Sequence, residues 1–146
     1  MSILQLIPVR INSEGNGMNK YWITPPELLE RLEREFDFDH DPCPYPRGDL
    51  NSLVEPWGRC NYVNPPFCRK DAPFGGPSAF ARKAIAEQTN GNTSVIILPV
   101  PNSIGLLLEA GAEVRYGRKI RWLEADTKEP CPRAYHQGIF ILKGRE

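Results

Sequence analysis

The residues in this chain best suited to chemistry are the consecutive Asn64-Pro65-Pro66-Phe67. The exocyclic amine of adenine is a poor nucleophile, because its lone pair is delocalised into the ring. It improves as the nitrogen turns tetrahedral. Hydrogen-bond acceptors aimed at its two N–H groups favour that change and stabilise the positive charge that develops on nitrogen. Asn64 offers a side-chain carbonyl for this purpose and Pro65 a backbone carbonyl. A residue before proline is biased to extended backbone, so Pro65 and Pro66 hold the carbonyls in a fixed array. Phe67 adds a flat face on which a base stacks, worth roughly 1–3 kcal/mol per base. That offsets part of the few kcal/mol that drawing a base out of a duplex costs. In isolation the tetrapeptide also fits a plain proline-rich turn. The apolar Tyr62-Val63 before it places it at a strand end, where α/β enzymes hold their ligands.

Other residues with chemical potential lie on either side. Asp39 and Asp41 stand at the end of Phe36-Asp37-Phe38-Asp39-His40, whose alternation reads as a short strand stopped by Pro42. Either carboxylate suits an ammonium group or ribose hydroxyls; turn chemistry before proline is the plain alternative. Arg115, Arg118, Lys119 and Arg121 form the densest basic run, read either as phosphate contacts or as a solvated loop. Arg69 and Lys70, beside the Asn-Pro-Pro-Phe motif, are a second basic pair. The chain carries 18 basic and 18 acidic residues, which argues against coating nucleic acid by charge alone. A local basic face remains compatible with that balance. Cys43, Cys60, Cys68 and Cys131 include no CxxC pair, and only His40 and His136 could join them. No metal site is expected, and free thiols are.

The elements that position these residues follow from periodicity and punctuation. At 146 residues the chain fits one domain. Residues 1–20 read as a flexible arm, and residues 21–146 as a single catalytic domain. Thr24 is a candidate N-cap for a helix opened by Pro25, with Leu28, Leu29, Leu32 and Phe36 at helical spacing. Residues 42–59 read as loop, and Asn61-Tyr62-Val63 as a strand running into the motif. A loop over residues 68–76 follows, long enough to act as a lid. Pro77 opens a helix through Gln88, ended by Asn90-Gly91-Asn92. Ser94-Val95-Ile96-Ile97-Leu98 is the clearest buried strand. Asn102 or Ser103 caps a short helix that stops at Gly111. Residues 113–116, 120–123 and 138–142 are further strands. Strands alternating with helices predict an α/β fold with a single, mostly parallel sheet flanked by helices. No stretch approaches the roughly 20 apolar residues that span a bilayer, and residues 3–7 lack a basic region before them. A cytoplasmic protein without a membrane partner is expected.

More than one segment resembles the phage-type DNA N6-adenine methyltransferases. Asn64-Pro65-Pro66-Phe67 resembles the catalytic motif of amino-methyltransferases. Tyr21-Trp22-Ile23-Thr24-Pro25-Pro26-Glu27-Leu28-Leu29 is similar to the opening motif of that family. Asp39-His40-Asp41-Pro42-Cys43 occupies the place of its acidic-Pro cofactor motif. Pro56-Trp57-Gly58, Val95 to Pro99, and Gly117-Arg118-Lys119-Ile120-Arg121-Trp122-Leu123 also resemble it, in the family's order over about residues 20–142. The resemblance implies transfer of a methyl group from S-adenosylmethionine to adenine N6 in DNA. It implies cofactor contacts from Thr24, Pro25 and Asp41, with Asp39 and Asp49 as further candidates, and a bacterial or phage-infected cell as the setting.

The chain departs from the family in one region. No Gly-rich loop follows the acidic-Pro motif, and only about 20 residues separate it from Asn64. That is too short for the βαβ unit which normally grips the cofactor adenosine. The implied fold is a reduced Rossmann-like sheet, with a homodimer or other partner subunit as a source of help. Two rivals follow: a DNA-binding decoy that has lost its cofactor site, and a methyltransferase acting on a glutamine amide in protein.

Overall fold

The computed structural model describes residues 8–10, 21–44, 51–65, 76–99, 104–116, 120–124, 127–130 and 137–146. Their order is β1 (Pro8–Arg10), β2 (Tyr21–Ile23), α1 (Pro26–Glu35), β3 (Cys60–Val63), α2 (Pro77–Thr89), β4 (Thr93–Pro99), α3 (Ile104–Glu109), β5 (Glu113–Tyr116), β6 (Leu123–Glu124) and β7 (Gln137–Leu142). The protein is α/β, built on a four-stranded mixed sheet ordered β3-β4-β7-β5. A small antiparallel sheet, β1-β2-β6, accompanies it. No helix among the described residues is long and apolar enough to cross a membrane.

The apolar run of β4 is central because both its faces are covered. Val95 to Leu98 are fully buried, as are Phe140 and Leu142 on β7. Side chains alternate across a strand, and the sheet therefore has two packed faces. Tyr62, Val95, Ile97, Ile139 and Ile141 meet α1 through Leu29 and Leu32, with Ile120 and Trp122 beside them. Val63, Ile96, Leu98, Phe140 and Leu142 meet α2 through Phe80, Ala81 and Ala84, and α3 through Leu107. Gly91 and Gly111 follow these two helices with φ of 85° and 86°, a backbone region that glycine enters without a Cβ penalty.

The sheet is only partly parallel, contrary to expectation. β3 and β4 pair in parallel through α2. β7 is antiparallel to β4 and to β5, so β5 runs in the direction of β3 and β4 and only β7 is reversed. α3 carries the chain from β4 to β5 across a position left open, which β7 then fills. An antiparallel neighbour needs no helical crossover, and no helix lies between β5 and β7 among the described residues.

Two local expectations also change. Pro25, not Thr24, is the N-cap of α1, and it makes no side-chain cap bond. In place of the expected strand over residues 120–123 stands the two-residue β6, with Ile120 and Trp122 buried in the core ahead of it. Residues 36–40 contribute one parallel bridge, His40 to Asn61. It is supported by Asp39 N–H donating to the Cys60 carbonyl and Tyr62 N–H donating to that of His40, both at 3.0 Å.

Candidate active site

The parallel bridge decides what meets at the sheet's carboxyl edge. His40 is level with Asn61, so Asp41-Pro42 leaves the sheet beside the end of β3, where Asn64-Pro65 leaves it. Ligands of open α/β sheets bind outside the carboxyl ends of strands. The fold thus brings together the Asp41 and Asn64 segments without an intervening helix among the described residues.

Asn64 is fully buried, and neither its Oδ1 nor its Nδ2 has a hydrogen-bond partner among the described residues. A buried amide left unpaired is costly, about 1–3 kcal/mol per group. Native cores rarely keep one without a bound water, an ion, a ligand or strain to account for it. The preceding asparagine shows the contrast. Asn61 is equally buried, but its Oδ1 accepts from Gly58 N–H and its Nδ2 donates to the carbonyls of Gly58 and Thr93. Asn61 is a brace, and Asn64 is an open donor–acceptor pair. Pro65 is buried beside it. Pro66, Phe67, Arg69 and Lys70 lie outside the described residues, as do Asp49, Arg118 and Lys119.

Asp41 is half-buried. Its Oδ1 accepts from Cys43 N–H at 2.9 Å, and burial pushes its carboxyl up to about 7, the Cys43 bond opposing this only in part. No cation among the described residues holds it ionised. Thr24 Oγ1 lies 2.7 Å from Tyr62 Oη in a buried hydrogen bond. This bond fastens the start of α1 to β3 two residues before Asn64. Burial also drives the Tyr62 phenol well above its ordinary range, so it stays protonated. Tyr62 was not singled out from sequence; its single cue was an aromatic hydroxyl in an apolar strand.

Asp39 stands at the other end of β3. Its carboxylate accepts from the backbone N–H groups of Arg59 and Cys60, at 3.2 and 3.0 Å. That is a structural use, remote from Asn64 along the strand. Arg115 is occupied too. Its guanidinium forks onto Glu35 at 2.6 and 2.5 Å and reaches Glu113 at 2.9 Å, above the ring of Phe36 at 5.8 Å. These hydrogen bonds, Glu35 first, raise its already high pKa further. A phosphate at Arg115 must displace two carboxylates. Arg121 is exposed.

Comparison with protein-family models, with curated proteins and with solved structures finds no match for this chain.

The donor set suits a cationic, hydroxyl-bearing cofactor. Asp41 Oδ2 is a carboxylate oxygen with no recorded partner among the described residues, at a strand's carboxyl end. An ammonium or a pair of ribose hydroxyls would satisfy it and favour its ionised form. The residues present fit S-adenosylmethionine on that ground.

Proposed function

We propose that this chain is an S-adenosylmethionine-dependent methyltransferase acting on the N6 amine of adenine in DNA, built on a reduced Rossmann-like sheet. The observation that carries the proposal is the buried Asn64 amide, without a partner among the described residues, at the carboxyl edge of a parallel strand pair toward which the Asp41 segment also runs. Its Oδ1, with the Pro65 carbonyl, accepts from the two N6 hydrogens and draws the nitrogen lone pair out of the ring. These acceptors bind more strongly as charge develops, which is the condition for lowering the barrier.

The cofactor, when bound, supplies a methyl group on a sulfonium. Asn64 and the Pro65 carbonyl would hold the amine toward that methyl group, and the proton that the amine gives up would pass to solvent. Asp41 holds the cofactor's polar end, and the Thr24–Tyr62 bond fixes the α1 entry beside it. The low-dielectric wall of β3 and β4 strengthens each of these contacts.

The test is methyl transfer from labelled S-adenosylmethionine to DNA of mixed sequence, followed by nucleoside analysis. N6-methyladenine as the labelled product supports the proposal. Cofactor binding with label only in a protein glutamine amide, or DNA binding without cofactor binding, would replace it with one of the two rivals.

A further inference from the structure

Unpaired buried polar atoms are unevenly spread over the sheet. Ser94 Oγ lies at the amino end of β4, and Gln88 Oε1 belongs to an amide whose Nε2 is already paired to two carbonyls. The others are Asn64, Gln137 Oε1 and Trp122 Nε1, at 0, 3 and 0% exposure. Gln137 heads β7 opposite Pro99. It therefore stands at the carboxyl end of β4, across that strand from the end of β3 where Asn64 leaves. By strand alternation it shares a face with Ile139 and Ile141, which pack with Tyr62 and Trp122. The same alternation returns Asn64, one residue past Val63, to the face of Tyr62. Trp122 is tied to this corner from the other side. Its neighbour Leu123 pairs with Ile23, and the next residue, Thr24, bonds Tyr62.

We infer that Gln137 and Trp122 line the target-base pocket together with Asn64, Gln137 Oε1 sharing with the Pro65 carbonyl one of the two N–H groups of the exocyclic amine and Trp122 Nε1 donating to an adjacent ring nitrogen. The inference rests on the proposed role of Asn64. Neutral donors and acceptors in an apolar wall suit an uncharged heterocycle rather than a phosphate. Two acceptors also discriminate: a keto base sets its own lone pairs against them, and a pocket built for N–H groups rejects a partner lacking them. Gln137 is thus a specificity-determining residue for an amino-bearing base.

The test uses the full chain with S-adenosylhomocysteine present, so that the cofactor's own adenine position is filled. Thermal unfolding is followed with 9-methyladenine and with 9-methylhypoxanthine, in which a keto group replaces the amine. The expected result is a raised midpoint with the adenine base only, abolished in Gln137→Met. That variant is expected to unfold at or above the native midpoint, because it removes a buried acceptor oxygen that has no partner among the described residues. On DNA it should lose roughly 10- to 100-fold in kcat/KM, the range for one buried hydrogen bond to the reacting group. Equal protection by both bases, protection by neither, undiminished protection of Gln137→Met, or unfolding of Gln137→Met well below native would each overturn the inference. Adenine-selective protection without methyl transfer to DNA would leave the pocket standing and remove the enzymatic reading instead.

Discussion

Asn64 and Asp41 carry opposite kinds of unfinished business, and each makes a prediction. Asn64 is an amide with no partner among the described residues, so its removal costs the folded chain little beyond a small cavity. Asn64→Ala is expected to unfold cooperatively near the native midpoint while transfer falls by a factor of about 10² or more, the loss typical of one transition-state hydrogen-bonding group. Asn64→Asp should retain part of the activity, since a carboxylate oxygen still accepts. A folded Asn64→Ala protein with native turnover would end the assignment.

Asp41 is raised by burial to about 7, above the ordinary carboxylate range of the unfolded chain. A group raised on folding contributes stability that is complete at pH below the unfolded value and is lost as pH rises through the folded one. The ligand-free protein should therefore lose stability from about pH 4 to pH 7 through this group. Asp41→Asn should flatten that slope. Cofactor affinity should move the other way, rising as Asp41 ionises, and Asp41→Asn should weaken it more than it weakens DNA binding. Calorimetric titration at pH 6 and pH 8 checks the sign.

The connection between residues 36–40 and β3 depends on close approach. Gly58 lies against Asp39 Oδ1 and the Cβ of His40, where a Cβ of its own has no room. Gly58→Ala is expected to destabilise by about 1–3 kcal/mol, as overpacking does. It should also weaken cofactor binding, because the same shift moves Asp41. The clasp between α1 and β5 behaves differently. Arg115 joins them through Glu35, and the pair is substantially exposed. Arg115→Ala should lower the thermal midpoint slightly, and a double-mutant cycle with Glu35→Ala should show coupling between the two. The salt dependence of DNA binding should stay unchanged. A flattened salt slope in Arg115→Ala would return this residue to the phosphate path.

Over the entire chain, formal neutrality means that DNA affinity must come from a few placed cations. Log–log salt slopes near −0.9 per phosphate contact are expected. Replacing Arg118 and Lys119 with Ala should flatten the slope by about one to two units without altering base preference. An unchanged slope would shift the DNA path to Arg69 and Lys70, next to the motif.

Much of the element order was legible along the chain, and the reason is locality. The β4 run, the prolines opening α1 and α2, and the glycines after α2 and α3 act through residues a few positions away, where period and punctuation are strong signals. The strand that runs into Asn64 was legible for the same reason, since it is a short apolar run stopped by proline. Pairing partners were not. Thr24 finds Tyr62 across 38 positions and Arg115 finds Glu35 across 80. Closing such loops costs entropy that grows only slowly with length, so chain distance hardly selects among partners. β7 could have continued the parallel order or reversed it; it fills the gap beside β4 reversed, with no helix between it and β5 among the described residues. That same reversal places the head of β7, with Gln137, at the carboxyl edge of the sheet. A lone glutamine before the apolar run Gly138–Leu142 looks, in sequence, like an ordinary strand end. Its burial without a partner is a property of the packed sheet alone, because whether a polar atom is satisfied depends on every element that closes around it.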